Sequence, residues 1–408
     1  MKYMRQISRI IIGLVFVFSG FVKGVDPLGS AYKFQDYFHA FGIGFFDFLA
    51  LPLSVLLCTA EFISGLSVLT GFRIRYGIYI VFILMLIFTP LTLVLAISNP
   101  VSDCGCFGDA VHLTNWQTFW KNIILLVPAI ILFLSVRKFQ PVLAPVKEWV
   151  AVILFAFLFV FFCIINLRYL PVMDFLPYKA GVYIPEKMVV PEGKSADVYE
   201  TTFLYEKDGV LKEFTIDNYP ADDTTWKFVD QKSVLKKKGY EPPIHDFSFM
   251  TLENEDITDR LLSDDSYTLL MIVKKLEKAK PELLMKGYET VRFCIENGIN
   301  FYILTSSSSH EIKKFTNEFT ICTGDEITLK SMVRADPGYM LIREGTIIGK
   351  WSWRNLPEKE WFEGDLAGKQ IRAMDNTISI VTVIAAGLGG LLIYLLLILF
   401  TVKKFGNS

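Results

Sequence analysis

The chain is poor in the side chains on which most soluble enzymes rely. It has four His in 408 residues, and His39, His112, His245 and His310 are scattered. No Ser/His/Asp arrangement can be built from that spacing, which argues against acyl-transfer chemistry. No glycine-rich loop has the spacing that cradles phosphate, so nucleotide binding by that route is excluded. With 41 basic against 42 acidic residues and no basic patch, the chain lacks the electrostatic footprint of a nucleic-acid partner. Cysteine is scarce too. There are six, and none falls in a Cys-x-x-Cys pair. The amino-terminal apolar run has a basic start but no clear small-x-small cleavage site. More apolar runs follow it, so it is read as a retained helix.

Apolar residues, by contrast, are abundant: 52% of the chain, with 35 Phe, gathered in runs that approach or exceed the length needed to cross a bilayer. The expected spans are 7–22, 48–69, 78–97, 123–136, 149–170 and 378–402, the fourth being the shortest. Lysine and arginine in the short connections set the orientation. Lys2, Arg5 and Arg9, then Arg73 and Arg75, then Arg137, Lys138 and Lys147, then Lys403 and Lys404 all fall on one side of a six-span chain. Both termini are therefore expected in the cytoplasm of a bacterium, in a multi-pass protein of the inner membrane. The polar segment 173–374 is expected in the periplasm. Lys23 and Lys33 dissent, lying on the outer side of the first span. The loop 24–47 is rich in aromatic residues and reads as an interfacial segment at headgroup level.

One short polar loop stands out between apolar runs: Ser102-Asp-Cys-Gly-Cys-Phe-Gly-Asp109. Two thiols one residue apart, at a membrane surface on the oxidising side, are placed to react. Closing a ring across i and i+2 strains the backbone, and Gly105 tolerates dihedrals that other residues do not. Strained, exposed disulfides are the labile ones. Two other readings stand beside this one. The bridge would be structural in a binding or assembly factor. Alternatively, Cys104, Cys106 and His112, with Asp103 or Asp109, would hold Cu(I) or Zn, although that spacing matches no strong signature.

Glu61 is the second candidate. A carboxylate inside an apolar span is costly and marks either function or a packing pair. Cys58 lies three residues earlier on the same helical face. The functional reading is proton handling, or a polar contact to a membrane quinone. The packing reading is a protonated or ion-paired residue that fixes helix packing, with Lys23 as the candidate partner.

The polar segment opens with strand-like runs at 199–206 and 210–216 around Lys207-Asp-Gly209, a hairpin signal. From residue 239 onward the pattern alternates. Strands are expected at 247–252, 267–273 and 299–304, helices at 277–296 and 309–319, and paired strands at 339–343 and 346–351. Together with Gly239-Tyr-Glu-Pro-Pro-Ile-His-Asp-Phe247 and Pro337, this order resembles a thioredoxin-like domain over 239–362. The resemblance implies a cis peptide at Pro337. It also implies Cys-x-x-Cys after the central strand, where this chain has Val273-Lys-Lys-Leu-Glu-Lys-Ala-Lys-Pro281 instead. Cys294 reads as a core residue, and Cys322 follows a strand-like stretch. The domain is thus expected to position a partner rather than to exchange disulfides itself.

Ser19-Gly-Phe-Val-Lys-Gly24, Glu61 with Ser64-Gly65 and Gly71, and Cys104-Gly-Cys-Phe-Gly108 together resemble the DoxX/MauE superfamily of small four-helix membrane proteins. The resemblance covers about a third of the chain and implies membrane-linked redox or disulfide chemistry. The expected architecture is a membrane helical bundle, with a DoxX-like four-helix core (1–140), a fifth helix (149–170) and a carboxy-terminal helix (377–402). Between the last two lie a β-rich segment (173–238) and an extracytoplasmic, degenerate α/β thioredoxin-like domain (239–362). Cys104, Cys106 and Glu61 are the expected catalytic residues. The expected partners are the lipid bilayer and an extracytoplasmic thiol-containing client protein. The charge alternation predicts that protease added to intact spheroplasts degrades 173–374 and spares epitopes at both termini. Protection of that segment would overturn the orientation.

Overall fold

The computed structural model describes residues 2–372, apart from residue 102 and short pieces at 196–197, 208, 216–217, 219–222, 224, 238 and 316–317. The expected sixth span at 378–402, with its Ala385, Ala386, Gly389 and Gly390, lies outside the described residues.

Among the described residues, five helices are long and apolar enough to cross a bilayer: α1 (Lys2–Val25), α3 (Ala50–Thr70), α4 (Ile74–Ser98), α5 (Asn115–Leu134) and α6 (Pro145–Arg168). A shorter helix, α2 (Pro27–Ala40), joins α1 to α3. Local chemistry sets several of the ends. Helix α3 stops at Gly71, whose φ of 91° only glycine adopts freely. Helix α5 starts on a capping box, with Thr114 and Gln117 each satisfying the other's backbone N–H. It therefore begins eight residues before its apolar run does, because Asn115, Trp116 and Gln117 interrupt the run but not the helix. Pro90 and Pro128 lie inside α4 and α5, an arrangement that membrane helices tolerate when neighbours re-satisfy the backbone.

Helices α1 and α3 form the closest pairing. A Cβ on Gly20 would fall 2.5 Å from Phe62 N and 2.7 Å from Cys58 O, so this crossing requires glycine. Ile12, Phe16, Val68, Ile78, Met85, Leu125 and Leu132 fill the space among α1, α3, α4 and α5. Asn122 on α5 donates to Thr92 on α4 at 3.1 Å, a polar link inside the bundle.

The polar part of the chain is an α/β domain with an inserted sheet. The insert is antiparallel, ordered β2-β1-β3, from β1 (Val198–Lys207), β2 (Val210–Thr215) and β3 (Lys227–Lys237). The larger sheet has six strands in the order β4-β7-β6-β5-β8-β9. Its members are β4 (Met250–Thr251), β5 (Thr268–Ile272), β6 (Asn300–Thr305), β7 (Ile321–Thr323), β8 (Gly338–Arg343) and β9 (Thr346–Ser352). Strand β6 runs parallel to β5 and β7, while β8 is antiparallel to β5 and β9. All five residues of β5 are buried, as a continuous apolar run covered on both faces should be. One face of the sheet packs Phe249, Leu270, Ile272, Cys322 and Met340, and the other packs Leu269, Met271, Cys294, Phe301 and Tyr339. Tyr178 and Ile184, from the chain before the insert, also enter the first face. The Asp336–Pro337 peptide is cis.

Several elements differ from expectation. The long helix expected at 277–296 is divided into a 3-10 turn at Leu276–Lys278, α9 (Pro281–Leu284), a second 3-10 turn and α10 (Tyr288–Glu296). Pro281 has no N–H to continue a helix across it. The helix expected at 309–319 is a single turn, Ser309–Ile312. Strand β7 has three residues, too few to show a period, and β3 carries so many charged and polar residues that its alternation is hidden. The helix Glu326–Met332 was not anticipated either, although Asp325 caps it by accepting from Thr328 N. Among these features, the α1–α3 crossing has the least slack. Replacing Gly20 with Val should lower bundle stability by about 1–3 kcal/mol through overpacking, read as a drop in the thermal midpoint of the full chain in detergent.

Candidate functional site

The dithiol loop covers one end of the bundle. It lies between α4 and α5 in sequence and packs against α1 and α2. Gly105 has φ of +63°, so the tight reversal between the two cysteines falls on the residue best suited to it. Gly105 N donates to Asp103 Oδ1 at 2.8 Å, and Lys33 Nζ reaches Asp103 Oδ2 at 3.2 Å. Tyr37 on α2 donates to the Cys104 carbonyl at 2.6 Å. The aromatic segment expected at the lipid surface therefore also contributes to the site. Both cysteines are free thiols, and their sulfurs lie 2.9 Å apart.

Directly beneath the loop lies a buried ion pair. Lys23 Nζ on α1 is 2.7 Å from Glu61 Oε1 and 2.9 Å from Oε2 on α3. Ser19, one turn before Lys23, places its hydroxyl 2.8 Å from Glu61 Oε2 and 2.9 Å from the Cys106 carbonyl oxygen. Lys23 also donates to that hydroxyl at 3.2 Å. Ser19 thus stands between the carboxylate and the backbone of Cys106, and its single proton serves one of these two acceptors at a time. Cys104, Cys106 and Glu61 all line one cavity of about 110 Å³ that Lys23, Tyr37 and Lys121 also border. The two lysines that broke the charge alternation are each neutralised, Lys23 by Glu61 and Lys33 by Asp103.

The two thiols are not equivalent. The hydrogen bond from the Cys104 thiol lowers Cys106 to about 6, and the ammonium groups of Lys121 and Lys23 add to this against the effect of burial. Cys104 moves the opposite way, held well above the ordinary thiol range by that hydrogen bond and by burial. The hydrogen bond and the nearby ammonium groups thus bias the pair's proton toward Cys104 and negative charge toward Cys106. Lys121 sits on α5 with its ammonium 4.3 Å from the centre of the Phe107 ring. It was legible as a lone cation close to an apolar run, but the sequence offered nothing to connect it with the loop.

The α/β domain closes the site from the other side. Arg334, just beyond the helix α12 (Glu326–Met332), pairs through Nε with Asp26 at 2.6 Å and through Nη2 with Asp109 at 2.5 Å. Asp26 caps α2, and Asp109 ends the dithiol loop. Burial works to lower the pKa of Arg334, but Asp26 and Asp109 outweigh it and the guanidinium is held charged. Lys274, two residues beyond the end of β5, is pushed down to about 8 by burial. Tyr32 of α2 lies among Lys274, Lys330 and Arg334, with the cations 4.7–5.6 Å from its ring centre. His112 is not drawn into a metal set. Among the described residues, no three His, Cys, Asp or Glu side chains gather as ligands.

The fold and this site define a multi-pass membrane protein with a dithiol loop and a polar α/β domain. Residues 1–135 match the family described as methylamine utilisation protein MauE, so this third of the chain is MauE-like. Residues 199–238, the inserted sheet, match a domain of unknown function. Protein TlpB of Flavobacterium psychrophilum is 27% identical over 140 residues, which is 34% of this chain and 38% of that protein. The chain thus matches well under two thirds of that relative's length. No solved structure matches the chain.

The charge placement makes a test available. Alkylation of Cys106 in the reduced protein should rise with pH through a midpoint near 6, below the ordinary thiol value of about 8.5. Lys121→Met should move that midpoint upward. A midpoint in the ordinary range would remove the thiolate from the site.

Proposed function

We propose that this chain is a membrane thiol–disulfide redox protein whose working group is the Cys104–Cys106 pair. The observation that carries the reading is the pair itself: two free thiols 2.9 Å apart, sharing a proton, in a cavity walled by a buried Lys–Glu pair. The match to the MauE family over residues 1–135 supports a redox-related membrane role.

In its oxidised form the loop accepts two electrons from a client dithiol. A client thiolate attacks one loop sulfur, the loop S–S bond breaks, and a mixed disulfide forms. The second client thiol resolves it. The client leaves with a disulfide, and the loop is left as a dithiol. Cys106 suits the role of leaving group, because a thiol with a low pKa departs readily as thiolate. The reduced loop then returns two electrons and two protons to a lipid-borne carrier of the quinone class, with Glu61 and Lys23 handling protons at the cavity wall. We place the loop and the α/β domain on the periplasmic face of a bacterial inner membrane, with both termini in the cytoplasm. The order of strands and helices in that domain supports reading it as a thioredoxin-like module without thiols of its own at the expected place. Its docking over the loop suits it to hold the client.

A second reading has one observation in its favour. Arg334 clamps the loop through Asp109, as would suit an assembly factor that needs the loop rigid and uses its bridge only structurally. Cys104→Ser and Cys106→Ser separate the two readings. On the redox reading each variant inserts and folds normally, yet client oxidation in membranes is lost. The reduction potential of the wild-type pair should also lie above about −300 mV, the range of labile bridges. Misfolded variants with a potential below that value would favour the assembly factor.

A further inference from the structure

The sequence suggests one thiol pair, whereas the structure contains two. Cys58 on α3 and Cys163 on α6 are 105 residues apart, and their sulfurs lie 3.8 Å from each other. Both are fully buried. Cys58 directs its proton to the Val55 carbonyl at 3.3 Å, which leaves a sulfur lone pair free toward Cys163. The other two buried cysteines of the described residues lack this arrangement. Cys294 and Cys322 sit on opposite faces of the α/β sheet.

We propose that Cys58 and Cys163 are a second redox pair, closing to a disulfide that ties α6 to α3 within the bilayer. A disulfide needs sulfurs about 2 Å apart, so closure requires an approach of less than about 2 Å, within the reach of side-chain rotation. The chemistry balances with one co-reactant. Each thiol gives up its proton, one S–S bond forms, and the two electrons and two protons pass to a lipid-soluble quinone, which leaves as quinol. The surroundings select that class of oxidant. Phe62, Phe159 and Phe162 wall the pair with apolar surface. No water-exposed face is available, while Phe161 and Ile164, on either side of Phe162 and Cys163 in α6, are exposed where lipid would lie.

The position gives the bond a consequence. Helix α6 leads directly into the α/β domain, and α3 carries Glu61 one turn from Cys58. A closed bridge would therefore fasten the helix that supports the domain to the helix that supports the site. This inference goes beyond the loop chemistry and does not depend on it.

The test uses the full chain in its native membranes. Thiols are trapped by acid quenching and alkylation, and the peptides are mapped without reduction. This is done after dithiothreitol, after a membrane-permeant short-chain quinone, and in the Cys104→Ser/Cys106→Ser double variant. Most of the Cys58 peptide should be linked to the Cys163 peptide after quinone and free after dithiothreitol. The link should survive in the loop double variant, so failure of the loop reading leaves this result unchanged. The unfolding midpoint of the oxidised wild type should exceed that of the reduced form, and Cys163→Ala should abolish that shift. If both cysteines are alkylated as free thiols after quinone treatment of a folded protein, the pair is packing and the proposal falls. Linkage of either cysteine to a loop cysteine instead would overturn it equally.

Discussion

A single buried ion pair, Lys23 with Glu61, is the constraint to which the rest of the bundle conforms. Two full charges inside an apolar assembly are tolerated only when they meet with good geometry, and removing one partner strands the other at a cost of about 3–5 kcal/mol. To bring them to 2.7 Å, α1 and α3 must approach at one register. Gly20 makes that approach sterically possible, and Ser19 completes the polar set. The same hydroxyl lies 2.9 Å from the Cys106 carbonyl, so its one proton can serve that oxygen in place of Glu61. The ion pair thereby fixes the height of the loop above the bundle as well as the packing of two helices beneath it.

The same rule, that buried charge must be paired, attaches the α/β domain. Arg334 is charged and buried, and both of its carboxylates come from the membrane part of the chain. A domain with its own core could have drifted on its linkers. Instead its cationic patch of Lys274, Lys330 and Arg334 surrounds Tyr32 and reaches the end of the dithiol loop. Arg354 adds a further tie, donating to the carbonyl of Arg168 at the end of α6. The stretch after β5, which holds no thiol, reaches the membrane part of the chain through Lys274 on Tyr32 of α2.

How much of this the sequence could show follows from the range of each signal. Five of the six expected spans, those within the described residues, were legible because runs of Leu, Ile and Phe mark a bilayer crossing without any knowledge of neighbours. The dithiol loop was legible because its residues are adjacent, and Glu61 because a carboxylate in an apolar run is conspicuous. Lys23 was named as the partner of Glu61, since few cations were at hand on the first helix. Arg334 could not be found, because its partners lie 308 and 225 residues away. Cys58 and Cys163 likewise pair only through the packing of α3 on α6. The helical segments between β5 and β6 were misjudged for a local reason: Pro281 lies in a stretch whose composition otherwise favours one long helix.

On the proposed redox reading, these placements bear on the direction of electron flow through the loop. A thiolate stabilised by nearby cations favours the reduced state of a dithiol, and that makes the corresponding disulfide the stronger oxidant. The hydrogen bond from Cys104 is the first source of that stabilisation at Cys106; Lys121 and Lys23 add to it, while burial and Glu61 oppose it. Because Glu61 is paired with Lys23, its charge is largely offset where the thiolate sits, and the balance falls toward Lys121. Had the carboxylate stood alone beneath the loop, Cys106 would be held nearer to an ordinary thiol and its disulfide would oxidise less readily. On the proposed redox reading, the ion pair that sets the packing of α1 against α3 would also leave the loop biased toward taking electrons from a client.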